Sequence, residues 1–86
     1  MNTEKDLRDI VPFELTNRPV TQIQSNRHLT VEGCKGLAEY TDICIRIKTS
    51  EGVISAYGTE LIISLLSTTA VMVDGYINRI EFEEWK

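Results

Sequence analysis

A single histidine, two cysteines and three glutamates close together near residue 83 are the side chains with the widest chemical reach in this chain. His28 stands between Arg27 and the segment Leu29–Val31. A general base needs a nucleophile within hydrogen-bond reach and a third group to orient it. Nothing in the sequence positions His28 together with Cys34, so the expectation is a solvated or capping side chain at a strand start. Cys34 and Cys44 are ten positions apart, outside any C-x-x-C spacing. A disulfide framework or a redox pair is not the expectation; two small buried thiols are. One histidine and two scattered cysteines do not make a metal site by spacing. Glu81, Glu83 and Glu84 surround Phe82, and strand alternation puts Glu81 and Glu83 on a wet face rather than around a cation. There is no G-x-S-x-G, H-E-x-x-H or phosphate-binding loop. The expectation is therefore no catalytic, cofactor-binding or metal-binding residue, and no enzyme.

Binding surfaces are the better prospect. Arg46 and Lys48 share one face of an alternating segment with Cys44, and Arg79 could extend that stripe. Its plain alternative is a solvent-facing charged face that blocks edge-to-edge aggregation. Tyr40, Tyr57, Tyr76 and Trp85 are amphipathic surfaces of the kind enriched at interfaces, with rim packing as the alternative. Phe82 and Trp85 offer apolar anchors beside the glutamates. Trp85 lies beyond the last expected strand, and either folds back onto the sheet or is offered to a partner. The candidate partner-binding residues are thus Arg46, Lys48, Phe82 and Trp85.

The 86 residues are enough for one domain with a modest core, burying roughly 60% of the unfolded surface. A net charge of −4 and a pI near 4.9 argue against a protein whose main task is gripping phosphate backbones. The apolar stretch Leu61–Leu66, broken by Ser64, is far short of the ~20 residues that span a bilayer. "MNTEKDLRDIV" is charged and lacks the apolar core of a signal peptide. The expected location is the cytoplasm, without membrane insertion.

Residues 1–12 read as a flexible charged leader, with a marginal helical turn over Glu4–Ile10 ended by Pro12. Residues 13–86 read as one domain, beginning with a turn at Asn17-Arg18-Pro19. From His28 onward the apolar period is two. In "ICIRIKT", Ile43, Ile45 and Ile47 take one face, and Cys44, Arg46 and Lys48 the other. "SEG" (Ser50–Gly52) is a hairpin turn and "VISAY" the return strand. "ELIISLL" is apolar on both faces, as in a central strand covered on both sides. A helix over Glu60–Ser67 is its rival. "STT" (Ser67–Thr69) turns the chain into "AVMVDGYINRIEFE", again a strand.

Three glycines recur after the pattern apolar, x, apolar, x: Gly33 in "LTVEG", Gly58 in "ISAYG" and Gly75 in "VMVDG". The parity of the apolar face switches nearby. Ile54 and Ala56 are even, while Leu61, Ile63 and Leu65 are odd; Val73 and Ile77 are odd, while Ile80 and Phe82 are even. A parity switch inside a strand requires an extra residue, a β-bulge. Gly33, Gly58 and Gly75 are therefore expected to be corners where long strands bend over a small core. A plain hairpin turn at Asp74-Gly75 is the alternative. The fold expectation is all-β: a small curled antiparallel sheet or barrel with strands bent at glycines.

Residues 26–82, with "HLTVEG" followed by "GLAEYT", then "ICIRIKTSEGVISAYGTELIISLL" and "VMVDGYINRIEF", resemble the YabP/YqfC family of sporulation proteins, closer to the YqfC branch. The markers are glycines and alternating apolar positions in a given order and spacing. The resemblance implies a non-enzymatic role in spore development, as an interaction or assembly module in the mother cell or at the developing spore envelope. It also implies a protein partner, such as a sporulation membrane protein. No catalytic or ligand-binding residue comes with it. Homo-oligomers through strand edges, at Val20–Ile23 or at "RIEFEEWK", are a further expectation. The alternative is a small acidic barrel binding nucleic acid or another ligand through Arg46, Lys48, Arg79 and the tyrosines.

Overall fold

Short alternating segments divided by Gly, Ser, Asn and Asp bury their apolar side chains most simply as strands joined by tight turns. The computed structural model describes residues 18–85, and every regular element among them is a strand. These are β1 (Val20–Gln24), β2 (His28–Glu32), β3 (Cys34–Tyr40), β4 (Cys44–Thr49), β5 (Gly52–Leu66) and β6 (Ala70–Glu84). The expected leader, its helical turn and Asn17 lie outside the described residues.

All pairings are antiparallel, in one six-stranded sheet of order β1-β2-β6-β5-β4-β3. Strands β1 and β3 each have one neighbour, so the sheet is curled but open. Of the sheet-or-barrel expectation, the sheet holds and the barrel does not. Strands β5 and β6 are fifteen residues long and serve two half-sheets. One joins β3, β4, the first half of β5 and the second half of β6. The other joins β1, β2, the first half of β6 and the second half of β5. A single core lies between them, with Leu29 and Val31 of β2, Ile45 and Ile47 of β4, and Val71 and Val73 of β6 all fully buried. Ile43 does not join Ile45 and Ile47: it precedes β4 and is exposed, because the chain is still turning there.

The parity switches are real bulges. Between Thr59↔Tyr76 and Ile62↔Asp74, β5 advances three residues while β6 advances two. Between Tyr57↔Arg79 and Gly58↔Ile77, β6 carries the extra residue, Asn78. Each insertion turns the apolar set to the other side of its strand, so one strand can face the core before and after its bend. The strands cross closely at that bend. A Cβ on Gly58 would lie 1.9 Å from the Tyr76 carbonyl oxygen. Gly75 has φ +141°, and a Cβ there would lie 2.6 Å from the Glu60 carbonyl oxygen. Gly75 is inside β6, which removes the hairpin alternative at Asp74-Gly75. Gly33 occupies the break between β2 and β3, where the chain leaves one half-sheet for the other. Its N–H donates to the Thr69 carbonyl at 2.7 Å.

Residues 60–66 are strand, not helix. They are not, however, a centre covered on both faces. Leu61 is buried, while Ile62, Leu65 and Leu66 are exposed. Strand β4 pairs with β5 only over Val53–Tyr57, and the run of β5 buried on both faces is Gly52–Ala56. Apolar residues on both faces signalled exposure here rather than depth. The β5–β6 turn at Ser67–Thr69 is as expected, with the Ser67 hydroxyl oxygen accepting from the Ala70 N–H at 3.0 Å.

Candidate functional site

Register brings the expected basic stripe together on the outer face of the half-sheet containing β3 and β4. Arg46 opposes Glu39 and Ser55, and Ser55 opposes Glu81; Lys48 opposes Val53, which opposes Glu83; Cys44 opposes Tyr57, which opposes Arg79. Carboxylates interleave the cations. Arg46 Nη2 lies 3.4 Å from Glu83 Oε1, and Arg79 Nε lies 3.1 Å from Glu81 Oε2. The Arg79 guanidinium also stacks 4.2 Å from the centroid of Tyr57, a cation–π contact. Arg46 lies over the sheet, with Nε buried and without a hydrogen-bond partner. Ser55 and Val53 are buried beneath this layer although they point outward. The face is a mixed-sign lattice, unlike the unbroken positive stripe that tracks a phosphate backbone.

Both thiols are free, Cys34 buried and Cys44 half-buried. Burial pushes each thiol's pKa up, and Glu39 adds to the effect at Cys44. Neither has the stabilised thiolate of a nucleophile. His28 is better connected than its sequence neighbours suggested. Its Nδ1 lies 2.6 Å from Asp74 Oδ1 across the β2–β6 pairing, and its Nε2 lies 3.1 Å from Thr30 Oγ1. Asp74, 46 positions away, could not be assigned to His28 without the register. With the carboxylate accepting from Nδ1–H, a neutral ring accepts from the Thr30 hydroxyl at Nε2. The order Asp–His–Thr matches a catalytic relay, but none of the three lines either of the two clefts described below. It clasps β2 to β6. The His28 hydrogen bond, helped by one from Ser64, holds the Asp74 carboxyl below its usual range.

A concave surface follows the side of β6 that β2 leaves uncovered. Strand β2 pairs with Ala70–Asp74, and the β1–β2 turn adds bonds from the N–H groups of Gly75 and Ile77 to the carbonyls of Arg27 and Asn26. Beyond Ile77, the ladders of the described residues pair β6 with β5 alone. The expected "RIEFEEWK" edge is thus, over Arg79–Glu84, the end of a long strand that is central at its start and one-sided at its end. Strand β1 forms the facing wall. Thr21 and Ile23 oppose Val31 and Leu29, so they share the core-directed face. Two clefts of about 250 Å³ open along this seam. Pro19, Thr21, Ile54 and Phe82 line the deeper, with Glu83 and Glu84 at its border. Ile23, Ile77 and Ile80 line the shallower one.

Phe82 opposes buried Ile54, yet is 65% exposed, since none of the described residues covers the end of the seam. Trp85 folds back: Nε1 donates to the Thr49 carbonyl at 2.9 Å and its backbone N–H donates to the Glu51 carbonyl. The indole remains half exposed. Arg18 Nε lies 2.7 Å from Glu51 Oε2, joining the start of β1 to the β4–β5 turn. Of the four candidate residues, Phe82 and Trp85 share this end of the molecule, while Arg46 and Lys48 sit on the outer face. Arg46 reaches the seam only through Glu83. The contribution of Pro19, Thr21 and Ile54 was not legible in sequence, because β1 meets β6 only through the fold.

No curated protein matches the chain at a significant level. The model of the YabP family matches residues 16–86 without resolving a YqfC branch. The match runs through all six strands, both bulged strands and the residues of the seam, and this chain belongs to the YabP family.

Proposed function

We propose that this protein is a non-enzymatic docking module of sporulation, acting in the mother-cell cytoplasm or at the periphery of the developing spore envelope. Membership of the YabP family suggests the sporulation setting. The docking role rests chiefly on Phe82, a large apolar side chain left 65% exposed on the core-directed face of a one-sided strand. Exposed apolar surface next to unpaired strand edge is what a partner covers. The partner is a protein, such as a sporulation membrane protein, and Phe82 and Trp85 anchor it. The alternating signs around Arg46, Lys48 and Arg79 weigh against nucleic acid.

Deleting Glu83–Lys86 would remove the ladder contacts to Gly52 and Val53 and the Trp85 bond to Thr49, so a point substitution is the cleaner test. Phe82→Ser should retain the native circular dichroism spectrum and melt within a few degrees of the parent. Affinity capture from sporulating cells should lose the partner recovered with the parent chain. Undiminished capture by the folded variant would refute docking at Phe82.

A further inference from the structure

Building on this docking reading, we infer that the seam takes an extended segment of a partner protein in which apolar and cationic residues alternate, added as a strand along the open side of β6. The segment's apolar side chains lie over Phe82 and Ile54, a cation on its other face meets Glu83, and one at its end meets Glu84.

The backbone supplies the first part. Arg79–Glu84 pairs with β5 on one side, and six residues of strand extend for roughly 20 Å. That length seats about six residues of an added strand, whose main chain supplies affinity and whose alternate side chains supply specificity. Two other open edges are poorer templates. The β3 edge has register shifts at Cys34/Gly36 and Leu37/Glu39, which spoil regular pairing. The second half of β5 is already capped: the Leu61 N–H donates to the Asp42 carbonyl and the Ile63 N–H to the Tyr40 hydroxyl oxygen.

Charge supplies the occupant. The deeper cleft is apolar along Pro19, Val53, Ile54 and Phe82 and carries carboxylates from Glu51, Glu83 and Glu84. Arg18 occupies Glu51, and Arg46 approaches Glu83 only at 3.4 Å from the outer face. Among the described residues, Glu84 has no ion-pair partner. An apolar strand carrying Lys or Arg complements that rim, and an acidic one is repelled. The chain's own residues 1–17 contain four carboxylates and two cations, the wrong balance for this rim.

Trp85, the chain's only tryptophan, bonds to Thr49 of the deeper cleft and reports directly. The probes are an end-blocked hexapeptide alternating Val and Lys and its Val/Glu counterpart, titrated into the full chain. Saturable change in Trp85 emission is expected for the Val/Lys peptide, with the Val/Glu peptide weaker by about tenfold or more. Glu83→Gln with Glu84→Gln should weaken the first by about fivefold or more, as should Phe82→Ser, while Asp42→Asn leaves it unchanged. Equal binding of both peptides, or equal weakening by Asp42→Asn, would overturn the inference. Binding that appears only after residues 1–17 are removed would overturn it too, by assigning the seam to the chain's own N-terminal segment. If Phe82→Ser abolishes capture in cells but the peptides bind alike, the docking reading stands and the cationic chemistry falls.

Discussion

Replacing Gly58 by alanine places one methyl group where two backbones meet. The added Cβ would lie 1.9 Å from the Tyr76 carbonyl oxygen, 2.9 Å from its carbon and 3.1 Å from Ile77 Cα. Relief requires β5 and β6 to separate by about 1.5 Å, since ordinary contact begins near 3.4 Å. No side-chain rotation can provide that, because the opposing atoms are backbone. Separation at Gly58↔Ile77 and Thr59↔Tyr76 breaks two or three ladder bonds, each contributing about 0.5–1.5 kcal/mol. The expected loss is about 2–4 kcal/mol, against total stabilities of about 5–15 kcal/mol for native domains. In a chain of this length it lowers Tm by roughly 10–25 °C. Gly58 does not have the positive φ of Gly75, so its cost is close approach rather than a closed backbone angle. Gly36→Ala separates these causes: φ is +141° there, but a Cβ would meet only Lys48 Cε at 4.0 Å. Urea and thermal unfolding followed by circular dichroism would compare Gly58→Ala, Gly58→Val and Gly36→Ala. Gly58→Ala should cost clearly more than Gly36→Ala, and Gly58→Val little more than Gly58→Ala. A Gly58→Ala melt within error of the parent, or above that of Gly36→Ala, refutes the close-crossing account.

The remaining expectations concern the thiols and the cross-strand clasp. Cys34 and Cys44 should carry two free thiols by non-reducing mass spectrometry, and Cys34 should alkylate slowly at neutral pH because burial raises its pKa. Replacement of either cysteine by Ala should cost under about 2 kcal/mol; a mass lower by two hydrogens would contradict the pairing state. Asp74→Asn should destabilise by about 0.5–1 kcal/mol at neutral pH, the upper end limited by solvent screening of a carboxylate whose side chain is 40% exposed. Because its folded pKa is depressed, Asp74 contributes stability above the unfolded carboxylate pKa. That contribution is lost as pH falls through the folded pKa. Parent and Asp74→Asn unfolding curves should therefore converge on acidification, and a gap that persists to the acid limit would exclude the clasp.

Local chemistry made much of the scaffold readable in advance. Alternation in Cys44–Thr49 marked a strand with Ile45 and Ile47 inward, because a two-residue period has one apolar solution. The parity change between Ala56 and Leu61 marked a bulge, since no regular strand can turn its apolar set from one face to the other. The order of glycines and apolar positions carried the family resemblance. Other features depended on distant pairing. Leu61–Leu66 has the composition of a buried central strand, but the β4–β5 ladder ends at Tyr57, and Ile62, Leu65 and Leu66 remain exposed. The His28–Asp74 contact spans 46 positions and exists only because Leu29 pairs with Val73 and His28 with Asp74. Phe82 was legible as an apolar anchor, but its opposing wall came from Pro19 and Thr21 at the other end of the described chain. Sequence by itself determined which residues extend, alternate and bend, because those are properties of neighbours along the chain. The tertiary structure alone decided which strand lost its cover and which walls faced across a seam, because those depend on where each ladder stops.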